Sequence, residues 1–148
     1  MLTRTPEQIA LVEASRLCQE FVDLTRDATE QTTDPGLQRL MANLIDEHER
    51  VRAAIETRVR DLDDLPLSAD SELEDLKKLA TRVKIMFRSE SAVLLDERIE
   101  QEKALLAHLE DALKLDLDVP TRACLEEARR TAEAGLHLLS QERTKRVS

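Results

Sequence analysis

Aromatic residues are nearly missing from this chain: two Phe, no Tyr and no Trp among 148 residues. Glycine is as scarce, at two, which leaves little material for hairpins, bulges or phosphate-cradling loops. Excess positive charge is missing too. The formal net charge is -9, which disfavours non-specific attraction to nucleic acid or to anionic membrane. No apolar run approaches membrane-spanning length, and residues 1–30 lack the charged-then-apolar order of a signal peptide. The two cysteines, Cys18 and Cys124, fall in helical segments, so reduced thiols in a cytoplasm are expected rather than a disulfide. What is abundant is Leu, Ala, Glu, Arg and Lys, the strong helix formers. With 41% hydrophobic and 36% charged residues the composition is that of a folded chain. Its length suits one domain with a real core. The fold class read from this is all-α, a single domain over 1–148.

The four prolines, Pro6, Pro35, Pro66 and Pro120, all fall between periodic stretches and none inside one. Thr5-Pro6-Glu7-Gln8 reads as a capping box that opens a helix over about 6–32. Leu11, Ala14, Ser15, Cys18, Phe21, Val22, Thr25 and Ala28 recur on one face of it. Asp34-Pro35 caps and opens a second helix over about 35–62. Its stripe is Leu37, Leu40, Met41, Leu44, His48, Val51, Ile55, Val59 and Leu62. Residues 67–91 are too long for a plain turn and hold another capping box at Ser71. Leu73, Leu76, Ala80, Val83 and Phe87 then predict a connector helix over 71–88, roughly 25 Å long at 1.5 Å per residue. A third long helix, about 92–115, takes Ser89 or Ser91 as its cap. Its inward stripe reads Leu95, Ile99, Glu102, Leu106, Leu109 and Leu113. The last helix, about 120–145, presents Leu125, Ala128, Ala132, Gly135 and Leu139. Arg143, Lys145 and Arg146 at its end complement the helix dipole.

Short, long and short links make two helical hairpins joined by a long connector with an extra helix, the ferritin-like arrangement of a four-helix bundle. Because the connector helix is shorter than its neighbours, a simple up-down-up-down order stays open as well.

From Leu11 to about Arg143 the chain also resembles an uncharacterised bacterial family of ferritin-like four-helix bundles. The residues that carry the resemblance are Cys18, Asp34-Pro35 with Leu37 and Leu40, and the run Ile55, Val59, Arg60 and Leu62. Glu97, Glu102 and Ala112-Leu113 complete the set, while glycines often present in the first and third helices of the family are missing here. The resemblance implies a fold and no agreed activity.

Ferritin-like bundles that use iron take Glu-x-x-His from two helices, because i and i+3 share a face. The residues three before His48, His108 and His137 are Ile45, Leu105 and Ala134, so the motif does not occur. Glu133 and His137 share a face that is expected to see solvent. One constellation remains: Cys18, His48 and Glu102 each interrupt or join an inward stripe near mid-helix, opposite the small residues of the last helix. The bland reading is a buried His48–Glu102 pair that fixes helix register. The sharper one is a metal site, iron or zinc, on Cys18, His48 and Glu102, or a thiol tuned by the imidazole. No Ser/His/Asp spacing, Gly-rich loop or nucleophile elbow suggests hydrolysis. Ile9, Leu17 and Leu24 form a second apolar stripe on the first helix, suited to a protein partner or homodimer, or to cover by the connector helix. The function expected is a non-catalytic binding or structural module. The alternative is a metal-binding redox or storage protein.

Overall fold

The first, second and last helices start where the sequence supplies acceptors for backbone N–H groups that no helix can satisfy internally. In a computed structural model that describes residues 4–62 and 91–147, four helices follow in order: α1 (Pro6–Glu30), α2 (Pro35–Asp61), α3 (Ser91–Ala112) and α4 (Val119–Val147). Thr5 closes a full capping box with Gln8: the Gln8 N–H donates to Thr5 Oγ1 at 3.2 Å and the Thr5 N–H to Gln8 Oε1 at 2.7 Å. Asp34 Oδ1 accepts from the Gly36 and Leu37 amides at 2.9 and 3.2 Å, with Pro35 at the first turn. Asp118 caps α4 in the same way, accepting from the Thr121 amide at 2.8 Å. Pro6 opens α1 and Pro35 opens α2 as expected, and the other helix limits differ from those read in the sequence by one to three residues. The connector helix expected over 71–88, its Ser71 box, Pro66 and Ser89 lie outside the described residues.

Polar contacts between helices fix their directions. Gln8 reaches the Leu62 carbonyl, Arg26 pairs with Glu49, and α1 and α2 therefore run antiparallel. Arg143 pairs with Asp96 and Arg122 holds the Leu113 carbonyl, so α3 and α4 do the same. Between the hairpins, Asp34 meets Arg146 at 2.7 Å and Arg58 meets Asp118 at 2.8 Å, which sets α2 against α4. Arg98 donates to Thr25 and His108 to the Ala10 carbonyl, which sets α3 against α1. Around the bundle the order is α1, α2, α4, α3, with every neighbouring pair antiparallel. It follows that α2 and α3 lie across a diagonal and run parallel, so α2 ends at the opposite end of the bundle from the start of α3. The basic tail does more than complement a dipole: Arg143 and Arg146 tie α4 to α3 and to the α2 cap.

The core divides into two apolar clusters. One holds Cys18, Val51, Ile55, Leu109, Leu125 and Ala132; the other holds Phe21, Met41, Leu44, Leu94, Leu95 and Leu139. The inward faces expected for α1 and α4 are buried throughout, and that of α2 is buried except at half-buried Leu40 and Leu62. The face expected for α3 needs correction. Ile99, Leu106 and Leu113 are half-buried, and Leu94, Arg98, Leu105 and Ala112 join Leu95, Glu102 and Leu109 inside instead. Two apolar stripes compete on this helix, and packing on both α1 and α4 selects the one that carries Arg98. On α1, Ile9 is exposed, whereas Leu17 and Leu24 are half-buried and Leu17 packs on the core.

Candidate functional site

The boundary between the two clusters is polar. His48 follows Leu44 by one turn of α2 and precedes Val51, so it points inward with them. Glu102 takes the same place on α3, between Arg98 and Leu105. From opposite corners of the bundle their side chains meet: His48 Nε2 lies 2.7 Å from Glu102 Oε1, with 1% and 0% side-chain exposure. The other imidazole nitrogen, Nδ1, lies 2.7 Å from the Leu44 carbonyl oxygen. Because a carbonyl only accepts, Nδ1 carries the hydrogen of that bond.

Aromatic and cationic neighbours complete the layer. The Phe21 ring of α1 stacks on the imidazole at 4.1 Å between centroids and 19° between planes. The Arg98 guanidinium lies 5.7 Å from the centre of the same ring. Arg98 also donates through Nη1 to Thr25 Oγ1 at 3.3 Å and to Gln101 Oε1, while its Nε has no hydrogen-bond partner. On the α4 side Gly135 stands where a β-carbon would collide with Glu102 Oε2 and come within 3.3 Å of Leu44 Cδ2. That oxygen is buried and has no hydrogen-bond partner. The missing side chain at Gly135 is therefore what makes room for the carboxyl.

Burial dominates the electrostatics here. It pushes the Glu102 carboxyl above the usual carboxylate range, against the hydrogen bond and charge of His48 and the charge of Arg98. It pulls the Arg98 guanidinium down to about 10, against Glu97, Glu102, Asp27 and Glu20. It pushes the Cys18 thiol up to about 12, with the Glu102 charge adding to the effect. A thiol so placed is a small apolar group with little thiolate character.

Of the three residues singled out from the sequence, His48 and Glu102 are joined directly. Cys18 lies in the adjoining apolar cluster with Val51, Ile55 and Ala132. Among the described residues no group of three His, Cys, Asp or Glu side chains is arranged to hold a metal ion. Glu133 and His137 are exposed, as their face implies. Sequence reasoning missed Arg98, Phe21 and Thr25 as members of the layer. The signal was the spacing of Arg98 to Glu102, i to i+4, which places them on one face.

A groove of about 390 Å³ runs between α2 and α4 beside the layer. Leu44, His48, Gly135 and Leu138 line it together with Glu127 and Arg130. Among the described residues no helix is long and apolar enough to cross a membrane. Compared with protein families, curated proteins and solved structures, the chain matches none of them.

Proposed function

We propose that this chain is a non-catalytic, ferritin-like helical bundle that serves as a binding or structural module, with its central polar layer acting as a register lock. The observation that carries this reading is the His48–Glu102 bond across the bundle diagonal. The two side chains best suited to chemistry face each other, and the remaining imidazole nitrogen is held by the backbone of its own helix. A slip of α2 against α3 would carry His48 away from Glu102 and leave the carboxyl buried without its partner, which is strongly unfavourable. The ferritin-like assignment is supported by the parallel diagonal and by α2 ending at the far end of the bundle from the start of α3. The cytoplasmic, reduced setting draws support from Cys18 and Cys124, both free thiols. The outward face of α1, with Ile9 exposed beside half-buried Leu17 and Leu24, is the surface offered to a protein partner or a second copy.

Elemental analysis of protein purified without chelator tests the reading. The expected result is metal below about a tenth per chain, unchanged by His48→Ala. Stoichiometric iron or zinc that His48→Ala abolishes would overturn it in favour of a metal-binding redox or storage protein. Size-exclusion with light scattering tests the surface: a dimer that Ile9→Glu converts to monomer is expected for self-association, and a strict monomer rules that out.

A further inference from the structure

The hydrogen bonds of the buried pair also fix its proton count. His48 Nδ1 carries hydrogen because its partner, the Leu44 carbonyl, only accepts. At 2.7 Å, Nε2 and Glu102 Oε1 would meet lone pair to lone pair unless a further proton lay between them. That proton rests on Nε2, giving imidazolium and carboxylate, or on Oε1, giving imidazole and carboxylic acid. Either way the pair is neutral overall, which is the state a site cut off from water tolerates. Adding a proton leaves a buried positive charge, and removing one leaves a buried negative charge with the two acceptors opposed.

From this geometry we infer that His48 and Glu102 form a proton-retaining latch, holding one shared proton through neutral pH, so that folding of the bundle takes up a proton there. The inference rests on the register-lock reading and adds its regulation. Other charged and titratable groups near the pair come from all four helices. Cys18 of α1 is a buried thiol. Arg98, one turn away on α3, is a buried cation that favours a carboxylate at Glu102. On α4, Gly135 presents no side chain, and half-buried Glu127 and exposed Arg130 share the groove with His48. Glu47 of α2 lines the same groove and is exposed too.

In the unfolded chain the imidazole titrates near about 6.5 and the carboxyl near about 4.3. Above the first value the unfolded chain holds one proton fewer than the folded pair, so stability from this site falls about tenfold per pH unit as pH rises. Between the two values the counts are equal and the contribution is flat. Below the second the unfolded chain holds one proton more, and stability falls as pH drops. The latch is therefore tightest under mildly acidic conditions and loosens with alkalinity.

Glu102→Gln separates this site from every other titration in the chain. Its amide donates to Nε2 without needing a shared proton, so the variant should gain stability up to about pH 6.5 and then level off at this site. Urea unfolding of both proteins from pH 5 to 8 should give a ratio of folding constants, wild type over variant, that falls about tenfold per unit. A ratio independent of pH overturns the latch. If His48→Ala and Glu102→Ala still lose stability at pH 5.5, the lock survives that result; if neither does, the lock itself fails. Should Glu102→Gln not fold, nitrogen-15 spectra of the wild-type His48 ring decide the matter. Resonances constant from pH 5 to 8 are expected, and a titration step centred near 6.5 overturns the proposal.

Discussion

Glu102 and Gly135 face each other so closely that the carboxyl of one occupies the space of the side chain the other lacks. Glu102 Oε2, buried and without a hydrogen-bond partner, rests against the backbone of α4, while Oε1 faces His48 on α2. Three helices thus meet at one carboxyl. A helical glycine is unfavourable by about 1 kcal/mol relative to alanine, and here it is the condition for the pair to fit.

Gly135→Ala is accordingly expected to destabilise the bundle. Overpacking against Oε2 costs about 1–3 kcal/mol, more than the helix propensity gained. In a Glu102→Ala background the same change should become stabilising, by about 1 kcal/mol. Chemical unfolding of the four proteins checks the change of sign.

Removing one member of the buried pair strands the other. His48→Ala and Glu102→Ala should each lose about 3–5 kcal/mol, and the double variant much less than the sum. A double-mutant cycle by urea unfolding reads the coupling. Additive losses would show that the two residues are held independently.

Arg98 is expected to behave differently, although it is as deeply placed. Its guanidinium is desolvated, and among the described residues it bonds the neutral side chains of Thr25 and Gln101 and leaves Nε unpaired. A buried cation without a directly bonded anion carries a desolvation penalty that an apolar side chain of similar length does not. Arg98→Met should therefore fall within about 1 kcal/mol of wild type or exceed it, while Arg98→Ala loses more through the cavity it opens. Thermal or urea unfolding distinguishes the two.

Cys18 gives a prediction at alkaline pH. Its folded thiol is pushed up to about 12, whereas a thiol in the unfolded chain ionises near about 8.5. Above that value the unfolded state has lost a proton that the folded state keeps, so stability falls with rising pH. The folding constant of wild type relative to Cys18→Ala should drop about tenfold per unit from pH 9 to 10.5. In native protein at pH 8, half-buried Cys124 should react with a thiol reagent well before Cys18.

The all-helical character, the helix starts at Thr5 and Asp34, and the inward faces of α1, α2 and α4 were legible in the sequence. Capping depends on neighbours within one turn, and a single apolar stripe at helical spacing leaves one choice of face. The pairing of His48 with Glu102 was legible for a related reason. Each interrupts an apolar stripe near mid-helix, and a polar group forced inward needs a partner at its own level.

Three things were decided only by the tertiary structure. The inward face of α3 was one, since Ile99 and Leu106 compete there with Leu94 and Leu105, and the winner depends on the angle at which α1 and α4 approach. The place of Arg98 was another: an arginine reads as surface until Phe21, Thr25 and Gln101 are seen to surround its guanidinium. The last was the company Cys18 keeps, the apolar side chains of Val51, Ile55 and Ala132. Periodicity gives the direction of a side chain from its own helix axis. Which side chains from different helices touch is set by axial offset and rotation, and those exist only once the helices have packed.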